Sequence, residues 1–144
     1  MAAPPVLSRL ADVKAHHITA GDTVKLAVLA GPAGGSATTV VFEVWDPAGA
    51  QPPNSHANSS ETFVVLAGRG RAFSDEHEVD LTAGDTLTLM PGSTHRIVNT
   101  SVTERLYAIT IMQNDDGFAE IINNGPAAPL DDADLAILAR AAFA

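Results

Sequence analysis

The chain contains no cysteine. That absence rules out a disulfide framework, a thiolate metal site and a cysteine nucleophile, so any bound metal must be held by nitrogen and oxygen donors. Basic residues are scarce as well: 8 stand against 17 acidic ones, for a net charge of −9. Such a surface repels phosphate backbones and anionic lipids, which argues against nucleic acid or a membrane as partner. No apolar run approaches the ~20 residues of a membrane span. The first residues, MAAPPVLSRLADVK, lack the basic start and unbroken apolar stretch of a secretion signal, and the expectation is a soluble, cytoplasmic protein. Acidic groups gather in turn-like places such as Asp75-Glu76-His77-Glu78, Asp115-Asp116 and Asp131-Asp132, where solvated surface is the ordinary reading.

A chain of 144 residues fits one domain spanning 1–144. Its middle is patterned for strands. Short, often alternating apolar runs at 24–29, 39–45, 62–67, 71–74, 78–81, 86–90, 95–99 and 105–113 are separated by Gly, Pro, Asp and Asn, giving about eight strands and an all-β barrel over about 22–113. In the run 39–45, Val40, Phe42 and Val44 share one face and Val41, Glu43 and Trp45 the other. The run 62–67 is apolar on both faces, as for a strand covered on both sides. The segment GPAGGS at 31–36 reads as a flexible connection. After Asn114 the period changes. Phe118, Ile121 and Ile122 recur at helical spacing before Asn123-Asn124-Gly125-Pro126, and Asp131 or Asp132 can cap a last helix carrying Leu135, Ile137, Leu138, Ala141 and Ala142, so that two short helices occupy about 115–144.

Of five histidines, His56 and His95 stand where a metal site needs them. Asn54 and His56 are two apart and share a face of an extended chain, with the carboxylate of Glu61 entering the next strand. His95 follows the turn Pro91-Gly92-Ser93-Thr94 and opens a strand toward Asn99. His77 sits in a hydrophilic turn, and the adjacent His16-His17 would point to opposite faces of a strand, so neither place is a good ligand candidate. Trp45, Phe63, Phe73 and Tyr107 read as core or barrel wall, and Phe42 and Phe118 as core.

These residues resemble the two motifs of the cupin superfamily, G(X)5HXH(X)3–4E(X)6G and G(X)5PXG(X)2H(X)3N. His56, Glu61 and Gly68 fall on the second histidine, the glutamate and the closing glycine of the first, with Gly49 one position from its opening glycine. Asn54 stands where a histidine is usual. In the second motif Gly84, Gly92, His95 and Asn99 fall on their places, while Met90 occupies the proline position and Pro91 follows it. The resemblance implies a double-stranded β-helix, or jelly-roll barrel, with two short C-terminal helices, and a default homodimer.

It also implies one divalent transition metal held by His56, Glu61 and His95, with Asn54 as a weaker fourth donor. Two nitrogens and one carboxylate suit Fe, Mn, Co or Ni with open positions, and Zn would bind without redox chemistry. The function implied is a metal-dependent enzyme acting on a small oxygen-bearing molecule, with dioxygenase chemistry foremost. A lyase, isomerase or cyclase is the alternative, in which Glu61, Tyr107 or Glu43 would carry protons. A third reading is a non-enzymatic small-ligand binder that has lost its metal, with His56 and His95 as hydrogen-bonding groups.

Overall fold

The computed structural model describes residues 1–139. The strands are β1 (Ala15–His16), β2 (Val24–Ala30), β3 (Thr38–Trp45), β4 (Ser60–Ala67), β5 (Arg69–Ser74), β6 (His77–Thr82), β7 (Thr86–Leu89), β8 (His95–Asn99) and β9 (Leu106–Gln113), followed by helices α1 (Phe118–Asn123) and α2 (Asp132–Ala139). They form a six-stranded sheet in the order β1-β2-β3-β9-β4-β7 and a three-stranded sheet in the order β6-β5-β8, a jelly-roll fold. The eight expected strands are present with shifted ends. The unexpected one is β1, two residues long and without a period to read; its pairing with Leu26 and Ala27 defines it. No helix among the described residues is long and apolar enough to cross a membrane.

Alternation along β3 and its neighbours sets what lies inside. Val41, Glu43 and Trp45 oppose Thr110, Ala108 and Leu106 of β9, and Glu61, Phe63 and Val65 of β4 oppose Met112, Thr110 and Ala108, so these side chains share the inner face. Val41, Trp45, Phe63, Val65, Ile97 and Leu106 form the interior cluster, in which the Trp45 and Phe63 rings lie 6.3 Å apart. Full burial of side chains of this size contributes about 1.5–3 kcal/mol each. Phe42, Val44 and Tyr107 point the other way and pack with Ile137 and Leu138 beneath α2. The expectation that β4 is covered on both sides is corrected: Phe63 and Val65 are buried, but Thr62 and Val64 on the outer face are only half-buried.

Short polar groups fix the ends. The connection at 31–36 is a 3-10 turn over Pro32–Gly34, closed by Gly35 at φ 84°. Gly68, at φ 88° between β4 and β5, has no room for a side chain, since a Cβ there would lie 2.5 Å from the Arg105 carbonyl oxygen. Asp115 accepts from the backbone N–H groups of Gly117 and Ala119 at the start of α1. Asp131 accepts from the N–H of Asp134, capping α2 as expected, while Ala141 and Ala142 lie outside the described residues.

The anchor of α2 is Asp134, fully buried although the three residues before it, Asp131, Asp132 and Ala133, are exposed. Its carboxylate accepts from Tyr107 Oη at 3.0 Å, Arg105 at 3.0 Å and Lys25 at 3.1 Å. Asp134→Ala strands a phenol and two cations, of which the cations can turn to water, so the expected loss is about 2 kcal/mol. Urea unfolding followed by circular dichroism measures it; a loss below about 0.5 kcal/mol would mean that α2 does not depend on this group.

Candidate metal centre

The residues before His56 run along β8. The N–H of Asn99 donates to the Gly49 carbonyl at 2.8 Å, that of Gln51 to Ile97 at 3.3 Å, and Asn54 and His95 exchange backbone hydrogen bonds of 2.9 and 2.8 Å. Pro52 and Pro53 have no N–H to give, so the contact consists of isolated bridges, Ala50 to Val98 and Asn54 to His95, and no continuous ladder forms. Directly opposed residues project to the same side, and His56, two beyond Asn54, shares its direction. The N–H of Gly92 donates to the His56 carbonyl at 2.8 Å, tying the turn before His95 to the first histidine. Glu61 arrives from the inner face of β4, between Met112 and Leu89.

The three side chains converge. Glu61 Oε2 lies 3.2 Å from His56 Nε2 and 3.0 Å from His95 Nε2, and the ligand atoms all fall within 4.8 Å of one another. Yet His56 Nε2, His95 Nε2 and Glu61 Oε2 are buried without a hydrogen-bond partner. The reason is visible at His95, whose Nδ1 faces the Ser93 carbonyl at 3.2 Å. A carbonyl only accepts, so Nδ1 carries a hydrogen, and in the neutral form of such a ring the Nε2 lone pair faces the carboxylate oxygen. Lone pairs so opposed in a buried site call for a cation between them. An octahedral ion with bonds of about 2.1 Å has adjacent ligand atoms about 3.0 Å apart, close to the two separations observed. The donors therefore fit a divalent metal.

Burial alone would raise the Glu61 carboxyl, but N–H donation and positive charge from His56 and His95 in their protonated forms outweigh it and hold that group below the ordinary carboxylate range. Glu43 is the opposite case. It is fully buried on the same inner face, accepts from Gln51 Nε2 at 3.1 Å and from the Thr110 hydroxyl, and is pushed up to about 8 by burial and by the charge of Glu61. Tyr107, expected as a proton carrier, is corrected: it faces outward opposite Val44 and gives its hydroxyl hydrogen to Asp134, with burial pushing the phenol up to about 12. A strand alternates its faces, and Tyr107 falls on the one away from Glu61.

A cavity of about 330 Å³ adjoins His56 and Asn54. Ile18, Leu26, Phe118 and Ile121 supply its apolar wall, and Gln51 its amide. The Phe118 ring meets His56 edge-on, with centroids 5.3 Å apart. Gln51, Thr110 and Ser93 were not singled out from the sequence, although Gln51 begins the segment that carries His56 and Thr110 follows from the alternation of β9. Asn99, shared with the second motif, instead donates to the Glu104 and Asp46 carbonyls at 2.7 and 3.0 Å and holds loops together. His16 and His17 contact the Gly125 and Val24 carbonyls, and His77 is exposed beside Glu76, as expected of non-ligands.

Comparisons agree with this architecture. The sequence profile of a family described as the cupin domain matches residues 41–112, half of the chain. A predicted oxalate decarboxylase from Thermotoga maritima superposes with a TM-score of 0.64 at 19% identity, covering 74% of this chain and 97% of that one. An RmlC-like cupin from Shewanella frigidimarina gives 0.63 at 18% identity, over 76% and 90% of the two chains. The cupin domain of Cnp3 from Schizosaccharomyces pombe gives 0.63 at 13% identity, over 79% of each. At these identities the likeness establishes the fold alone. A search of curated proteins finds no significant match.

Two outcomes follow. Protein purified after growth with added Fe, Mn, Ni or Zn should carry about one metal ion per chain by elemental analysis, His56→Ala and His95→Ala should carry almost none, and His77→Ala should keep it; metal-free wild-type protein would contradict the assignment. For Glu43, the folded state retains a proton that the unfolded chain releases near pH 4.5. The contribution of that proton to stability is complete below about pH 4.5 and is lost as pH rises to about 8. Denaturant unfolding of chelator-treated protein should thus weaken over this window, by at most about 1.4 kcal/mol per pH unit, and Glu43→Gln should flatten the slope. An unchanged slope in the variant would show that Glu43 titrates normally.

Proposed function

This chain belongs to the cupin family, and from that premise we propose that it is a metal-dependent enzyme of the dioxygenase class acting on a small oxygen-bearing organic molecule. The observation that carries the proposal is the set of three buried, unpartnered donor atoms of His56, Glu61 and His95 beside a cavity of about 330 Å³. A divalent ion held there supplies Lewis acidity, and a redox-active one adds electron transfer, with positions left open because only three protein donors are committed. The chain's own part is binding and orientation. His95 is held in one tautomer by Ser93, His56 is braced by Phe118, and the apolar wall limits water around the bound molecule. Asn54, beside His56 on the cavity wall, offers a neutral amide either to the metal or to the substrate.

One observation favours a second, non-redox reading. Glu43 is a buried carboxyl whose raised proton affinity suits proton transfer near neutral pH, and Gln51 links it to the cavity wall. A lyase or isomerase would use such a group. Once a substrate is identified by screening small oxygenated compounds, turnover should be measured with and without dioxygen on protein loaded separately with Fe(II) and Zn(II). The dioxygenase proposal expects turnover only by the iron form in air. Full anaerobic turnover by the zinc form would replace it with the non-redox reading.

A further inference from the structure

The cavity beside His56 has an unusual charge inventory. Its wall carries two carboxylates, Asp22 and Asp116, and among the described residues no lysine or arginine lines it. Both carboxylates are fixed: Asp22 Oδ1 accepts from the N–H groups of Thr23 and Val24, and Asp116 Oδ2 from that of Asn58. Four of the eight cationic side chains are committed elsewhere. Lys25 and Arg105 serve Asp134 on the outer face, Arg71 pairs with Asp80, and Arg96 stacks over Phe73.

A carboxylate-bearing ligand is ordinarily met by a bidentate arginine or a lysine. Among the described residues lining the cavity no lysine or arginine supplies positive charge, so a bound metal would supply it, and Glu61 already cancels half of a divalent ion's charge. One further negative charge leaves that centre neutral; a second leaves an excess beside an apolar wall and the negative Asp22 and Asp116. The remaining wall favours a mainly apolar body, and a volume of about 330 Å³ is at the small end of ligand cavities, which run from about 300 to 1,000 Å³.

Resting on the metal-centre reading above, we infer that this cavity selects small, mostly apolar chelators that are neutral in solution and bind with at most one negative charge, and that it discriminates against dicarboxylates such as oxalate. The likeness in fold to a predicted oxalate decarboxylase therefore does not extend to that ligand.

The test uses the full chain loaded with Co(II), whose visible absorption reports ligands entering the metal's shell. The probes are 3-hydroxy-2-methyl-4-pyranone, a neutral chelator that binds as a monoanion, and oxalate, each referred to its affinity for aqueous Co(II). Relative to that reference, the protein should disfavour oxalate against the hydroxypyranone by about tenfold or more. Ile121 is 52% exposed on α1 at the cavity wall, so Ile121→Lys adds a cation without disturbing the core. This variant should bind oxalate several-fold more tightly and leave the hydroxypyranone within about twofold. Equal or better relative binding of oxalate by the wild type, or an oxalate affinity that ignores the added lysine, overturns the inference while the metal centre stands. Failure to take up Co(II) would remove the metal reading itself, and this inference with it.

Discussion

The pair of backbone hydrogen bonds exchanged by Asn54 and His95 is the contact on which the candidate site depends. It joins a segment leaving β3 to a strand of the other sheet, and it does so where Pro52 and Pro53 deny the chain a longer ladder. A full strand there would extend the small sheet past β8. Isolated bridges instead leave the segment irregular enough to turn toward β4, so that His56 and Glu61, five residues apart, both reach His95. The Gly92 to His56 bond then closes the arrangement from the far side. Backbone pairing thus positions the candidate ligands.

A second constraint acts through sheet parity. Because β3, β9 and β4 pair in register, one choice of face puts Glu43, Thr110 and Glu61 inside together with Trp45 and Phe63. It also sends Tyr107 outward to Asp134. Two of the buried carboxyls differ in character. Asp134 meets two cations and a phenol, and its charge is compensated; Glu43 meets only neutral donors and the negative Glu61, and it holds its proton. The first fastens α2 to the barrel, whereas the second adds an ionisable group next to the candidate metal ligands.

The candidate ligand residues stand out in the sequence because their spacing is short range: His56 to Glu61, and the Pro91-Gly92 turn to His95, are local patterns. Gly68 and Asn99 were legible by the same motif, although their work proved to be conformational, a left-handed turn and a loop clamp. Tyr107 was misplaced because its face depends on the register between β9 and β3, and a shift of one residue reverses it. Asp134 passed unnoticed among exposed acids, since its value comes from Lys25 and Arg105, 109 and 29 residues away.

By itself, the sequence determined the class of fold, through alternating apolar runs punctuated by turns, and the identity of the nitrogen and oxygen donors, through the lack of cysteine and the motif spacing. Tertiary structure decided which of those groups meet. It placed the donor atoms within 4.8 Å, raised Glu43 by burying it near Glu61, and left the adjoining cavity without a lysine or arginine among the described residues. Each of these is set by groups far apart along the chain, whose distances and shared desolvation come into being only when the strands pair.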